Sequence, residues 1–333
     1  MNVPYIDHDT IAGVLRMRDL VPRMREAMID YSAGRTRQPP RRIMEVREHG
    51  GFFGGMPAVS PAAMGAKLVA FYPRNADKGL ETHMALIALL DRATGRPLVT
   101  MDGGLITRMR TAAVTATFID AVADPGVSSL AILGAGEQAE SHLEALALVR
   151  NFNDVRLWNR TPERAAALAE KAGGRATDAE SAVRNADVVI ATTASNEPIL
   201  DGSWLKPGAK VVSVGWSGAD GSELDAATMA NTVIVDSREG ALVESGNVRR
   251  WDAVIHAELG EILGKTAAVN AADTVVFDSI GMACQDLAAA SLVAEKLDLR
   301  EPTQKRFPAT AGNPWKCLEN CKSNVFEGFP KRG

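Results

Sequence analysis

The sequence predicts an α/β fold: a doubly wound Rossmann domain preceded by an α+β domain. Three observations carry that prediction. From residue 129 onward, short apolar runs alternate with helical stretches, the pattern of parallel strands joined by crossover helices. A glycine-rich turn, "GAGEQA", stands directly between one such run and one such helix. The residues before about 125 lack that alternation and give strands joined by turns, as in a largely antiparallel sheet.

In chain order, "FFGGMPA", "AKLVAFYPRN" and "MALIALLDRATGRPLVTMDGG" supply the strands of the first domain, residues 1–125, which closes at "ADPGVS". The Rossmann domain, 126–274, opens with the strand "SLAILGAG" and the helix "EQAESHLEALALV". The strand "DVRLWN" and the helix "TPERAAALAEKAG" follow, and then the runs "ADVVIATT", "AKVVSVG" and "NTVIVDS". These last runs are rich in β-branched residues and of buried-strand length, as strands covered on both faces are. A helix within 275–300, "SIGMACQDLAAASLVAEKLDL", has apolar residues at helical spacing and is expected to pack back on the first domain. The tail 301–333 has little periodicity and is expected to be poorly ordered.

Composition excludes several classes of function. With 46% hydrophobic and 23% charged residues and a formal net charge of −4, nothing calls for nucleic acid or a membrane surface. The first twenty residues carry Asp7, Asp9, Arg16 and Arg18 where an export signal needs an apolar stretch, so a cytoplasmic location is expected. The three cysteines, Cys284, Cys317 and Cys321, suggest neither a disulfide framework nor a metal site.

Gly134, Gly136 and Ala139 form G-x-G-x-x-A between strand and helix, the context in which this motif signifies dinucleotide binding. Gly134 allows the tight turn, Gly136 the approach of a pyrophosphate, and Ala139 close packing of helix on strand. An NAD enzyme usually ends its second strand with an acid that accepts from the ribose hydroxyls. Here that strand ends in Asn159, Arg160 and Thr161. These are donors suited to a 2′-phosphate, so the expected cofactor is NADP(H), with NAD(H) the alternative. Thr161 followed by Pro162 also suits a helix start.

Together with "ILGAGEQA" and "WNRT", the stretches "RQPPRRIM", "GAKLVAFYP" and "ITRMRTAAVTA" resemble the ornithine cyclodeaminase/mu-crystallin family from about residue 10 to residue 298. The resemblance implies that Arg41 and Arg110 grip a substrate carboxylate and that Lys67 is the catalytic lysine. It also places His83 and Glu258 in the substrate pocket, and Glu137, Gln138, Arg164, Thr193, Val214 and Ser279 near the cofactor. Where cyclodeaminases of the family carry an Asp, this chain has Ser217, with Asp220 three residues on.

That departure and the "WNRT" stretch point to the reductase branch. The resemblance therefore implies NADPH-dependent reduction of a small cyclic 2-imino acid, 1-pyrroline-2-carboxylate or 1-piperideine-2-carboxylate, to L-proline or pipecolate, by a homodimer formed through the first domain. Alternatives are an ammonia-releasing ornithine or lysine cyclodeaminase, an alanine dehydrogenase-like enzyme, and a non-catalytic protein that binds NADPH and a carboxylate ligand.

Overall fold

The computed structural model describes residues 3–215, 218 and 220–299, and residues up to Leu299 form one compact unit. The expectation for the tail 301–333, like Ser217, lies outside the described residues.

Two sheets organise the chain. The six-stranded sheet contains β1 (Tyr5–Ile6), β2 (Arg42–Val46), β3 (Gly51–Val59), β4 (Met64–Phe71), β5 (His83–Leu90) and β6 (Pro97–Asp102), in the order β1-β6-β5-β4-β3-β2. Only the β1–β6 pair is parallel. The eight-stranded sheet contains β7 (Ser129–Leu133), β8 (Asp154–Trp158), β9 (Arg175–Ala176), β10 (Val188–Ala191), β11 (Lys210–Ser213), β12 (Thr232–Val235), β13 (Ile255–Glu258) and β14 (Val275–Asp278). It is parallel throughout, in the order β13-β12-β14-β11-β10-β7-β8-β9. The order turns back between β7 and β10, which opens a crevice at the carboxyl ends of those strands.

The helices are α1 (His8–Val14), α2 (Met17–Ser32), α3 (Gly104–Val122), α4 (Glu137–Leu146), α5 (Pro162–Ala172) and α6 (Ala179–Val183), followed by α7 (Ala226–Met229), α8 (Arg238–Glu244), α9 (Gly246–Arg250), α10 (Leu259–Leu263) and α11 (Ala283–Lys296). One continuous core joins the sheets: α3 and α11 bury Ala112, Phe118 and Leu287 among Ile87 and Met101 of the first sheet and Ile132, Val212 and Phe277 of the second. Phe118 stacks on Phe277 with ring centroids 5.0 Å apart, a geometry that adds to the burial of both rings.

The structure departs from the sequence reading at one boundary. The expected Rossmann limit at residue 274 leaves out β14, which lies inside the eight-stranded sheet between β12 and β11. The helix accordingly begins at Ala283, after the turn Ser279–Gly281, and packs on α2, α3 and strands of the first sheet.

Candidate active site

A cavity of about 210 Å³ lies between the first sheet and the carboxyl ends of the Rossmann strands. Arg41, Lys67, His83, Arg110, Gln138, Val214 and Ser279 all line it. The resemblance thus selects residues far apart in sequence that the fold brings together.

Lys67 projects from β4 and is 2% exposed. Its Nζ lies 2.6 Å from Asp286 Oδ2 and 3.4 Å from the Thr107 hydroxyl of α3. Burial pulls the ammonium down to about 8, with Asp286 holding it up and Arg110 and Arg41 adding to the fall. Burial alone would raise Asp286, but Lys67 and Arg110 together hold its carboxyl below the usual range. The pair is therefore ionised around neutrality.

Arg110, on α3, donates from Nε to Asp286 Oδ1 at 2.9 Å and from Nη1 to Gln285 Oε1 at 2.8 Å. Arg41 is ion-paired with Glu244, and its Nη2 donates to the carbonyls of Ile280 and Gly281 at 2.5 and 2.8 Å. Among the described residues neither Arg41 Nη1 nor Arg110 Nη2 has a hydrogen-bond partner. Each arginine thus keeps one donor edge uncommitted in a wall of the cavity. Opposite this cationic group, Ile43, Phe52, Met56, Val69 and Phe71 give the cavity an apolar side. His83 stands exposed at the start of β5, in register with Phe71.

The nucleotide side follows the Gly-rich turn. Gly134 has φ +123°, and a Cβ there would meet the Thr192 hydroxyl at 2.4 Å, so only glycine fits. Gly136 caps α4 without a side-chain bond, which leaves the first N–H groups of the helix available to a pyrophosphate. Gly134 N–H donates to Trp158 O at 2.7 Å, setting the turn beside the end of β8. There Asn159 donates to Thr161 O at 3.0 Å, and Thr161 caps α5 by position without using its side chain. Arg160 and Arg164 are exposed and have no ion pair among the described residues. Glu137 carries an exposed carboxylate 3.7 Å from Arg108.

Two of the expected residues stand apart from the cavity lining. Glu258 does not line the cavity. It caps α10, and its carboxylate accepts from the Ser32 hydroxyl at 2.6 Å and from Arg238 N–H at 2.9 Å, so its acceptors serve the junction of α2, α8 and α10. Thr193 stands at the end of β10 but turns inward: its amide and hydroxyl both donate to Glu223, at 2.6 and 2.5 Å. Nothing in the sequence marks Glu223, which also accepts from Ser213 and Gly215 and so ties the strand ends under the crevice together. Asp286 is the other unpredicted residue, and its signal is an acid set directly before the apolar and small residues 287–294 of a helical run.

The sequence profile of the Ornithine cyclodeaminase/mu-crystallin family matches residues 6–301. The chain belongs to this family. It is 43% identical over 283 residues to the ketimine reductase mu-crystallin of Mus musculus, covering 82% of this chain and 90% of that protein. It is 32% identical over 305 residues to a Delta(1)-pyrroline-2-carboxylate reductase of Bacillus cereus, covering 85% and 93%. Among solved structures it resembles the Thermococcus litoralis Delta(1)-pyrroline-2-carboxylate reductase in complex with NADH and L-proline, with a TM-score of 0.84, 32% identity, and 88% and 97% of the two chains covered.

Proposed function

We propose that the protein reduces a small cyclic 2-imino acid with NADPH, converting 1-pyrroline-2-carboxylate or 1-piperideine-2-carboxylate to the L-amino acid. The observation that carries this reading is the buried Lys67–Asp286–Arg110 cluster at the crevice of the Rossmann sheet. The imine reductases among its relatives agree with it.

The residues present fit a dinucleotide. Gly134 fits only as glycine, α4 offers uncapped N–H groups, and Gln138, Val214 and Ser279 line the cavity beyond them. When bound, the nicotinamide supplies a hydride to the imine carbon. Asn159, Arg160 and Thr161 present donors and no carboxylate at the end of β8, which favours a 2′-phosphate and hence NADP(H) over NAD(H).

Arg41 Nη1 and Arg110 Nη2 hold the substrate carboxylate, and the apolar wall excludes water around the ring. Lys67, as an ammonium, gives its proton to the imine nitrogen as the carbon is reduced. A pKa of about 8 suits that task near neutrality. The first sheet exposes Met44, Phe53, Leu68, Met84 and Leu86 on one face, an apolar surface suited to the homodimer that completes the proposal.

The test is purified protein with NADPH or NADH and each imino acid, followed by nicotinamide absorbance. Oxidation of NADPH with formation of proline or pipecolate is expected. Ammonia and proline formed from ornithine, with no net change in nicotinamide absorbance, would overturn the assignment.

A further inference from the structure

Asp236 follows β12, is fully buried, and lines no part of the cavity. A carboxylate in such a place is costly unless it does something that a smaller polar group could not. Its Oδ2 accepts from Gly281 N–H at 2.8 Å and from the Ser279 hydroxyl at 3.2 Å, while Oδ1 has no partner. Both contacts fall on one turn, Ser279–Gly281.

That turn touches both substrate arginines. Its carbonyls at Ile280 and Gly281 receive the Arg41 guanidinium. Gly281 has φ +77°, and a Cβ added there would lie 2.6 Å from Arg110 Nη2 and 2.7 Å from Nη1, so the turn is seated directly against the guanidinium of Arg110. On its other side Ile280 packs on Gly240 of α8, where a Cβ would meet Ile280 Cδ1 at 2.7 Å. A turn held this tightly passes any shift of its anchor on to both guanidinium groups.

We infer that Asp236 is a positioning residue that sets the spacing of the Arg41 and Arg110 donor edges through the Ser279–Gly281 turn, and thereby governs affinity for the substrate carboxylate. The inference rests on the proposal that these arginines bind that carboxylate. The position of the acceptor oxygen is what matters, and the charge is secondary. Burial pushes the Asp236 carboxyl up to about 6, with Gly281 N–H, Arg110 and Arg41 opposing the rise and Asp278 adding to it.

Two substitutions separate position from charge. Asp236→Asn keeps an acceptor oxygen in place and removes the charge, whereas Asp236→Glu keeps the charge and moves the acceptor by one methylene. The readouts are KM for 1-pyrroline-2-carboxylate, kcat, the dissociation constant of NADPH by fluorescence, and thermal melting as a check of folding.

The expected result is a KM within fivefold of the parent protein for Asn and raised more than fivefold for Glu, with kcat and NADPH affinity little changed in both. A KM raised more than fivefold in Asn, or one within fivefold in Glu, overturns the inference. If the Glu variant does not fold, Asp236→Ala takes its place under the same threshold. The parent protein assayed alongside distinguishes the two levels: no turnover of either imino acid sinks the proposed function, whereas normal turnover with an unmoved Glu variant sinks only the role of Asp236.

Discussion

Replacing Asp286 by Asn tests whether the lysine acts as a charged acid. In the folded protein the influences on Lys67 are burial, Arg110 and Arg41, which lower its pKa, and Asp286, which raises it. The substitution removes only the last. With a pKa of about 8, Lys67 is roughly nine-tenths protonated at pH 7, and a fall of two units, worth about 2.7 kcal/mol, would leave it roughly nine-tenths neutral. Removing one partner of a buried ion pair typically costs about 3–5 kcal/mol, and Asp286 Oδ2 lies only 2.6 Å from Nζ. The loss is therefore large enough to discharge the lysine.

The sign follows from the charged form being the active one: activity is present below the pKa of Lys67 and is lost as pH rises through it. The assay is kcat/KM for imine reduction between about pH 5 and pH 9.5. The parent protein should lose activity above about pH 8. The Asn variant should lose at least tenfold at pH 7 and recover part of it on acidification. A descending limb that stays at the same pH in the variant would refute the argument, provided NADPH binding shows the variant to be folded.

Arg160→Ala should weaken NADPH more than NADH by about 1.5–3 kcal/mol, the worth of a charge-assisted hydrogen bond; equal losses in the two dissociation constants would remove Arg160 from the 2′-phosphate. Glu258→Ala should lower thermal stability by about 1–3 kcal/mol through its two lost hydrogen bonds and leave the imino-acid KM within about twofold, whereas a tenfold KM effect would return the residue to the substrate pocket. His142 is fully buried between Thr115 and the Gln138 carbonyl, and burial holds its pKa down to about 4. A folded pKa below the unfolded value stabilises at higher pH, so the contribution, about 3 kcal/mol, is lost as pH falls from about 6.5 to 4; His142→Gln should flatten melting temperature against pH in that window, and an unchanged slope would assign the loss elsewhere.

What could be read in the sequence follows from how each element buries itself. Strands β7, β10, β11 and β12 are covered on both faces and so appear as short runs centred on apolar, largely β-branched residues, and Gly134 and Gly136 are local features of one turn. The long helix α3 leaves no such trace, because 14 of its 19 residues are buried and a helix covered nearly all round has no polar stripe to set its period. Strand β14 is hidden by its neighbour: three apolar residues and Asp278 lead through a short turn into the helix formers of α11. The Lys67–Asp286 pairing joins β4 to α11 across the whole chain, and no local pattern encodes a contact of that range. Glu258 shows the converse, since a position matched by motif can have its side chain turned to a helix cap by the local geometry.

The acids of the site serve its bases. Glu244 is taken up by Arg41, Asp286 by Lys67 and Arg110, and Asp236 by the turn that carries both arginine contacts. Arg41 pairs with Glu244, and Lys67 and Arg110 share Asp286, but these acids stand behind the cavity wall, which itself presents the cations Arg41, Lys67 and Arg110. A substrate bearing one carboxylate and a neutral or protonatable imine supplies the balancing negative charge. A diamino acid would bring an additional ammonium, and among the described residues that line the cavity none is Asp or Glu. Burying that ammonium without a carboxylate partner would cost several kcal/mol. The same electrostatics that draw in an imino acid carboxylate therefore disfavour ornithine or lysine as substrate.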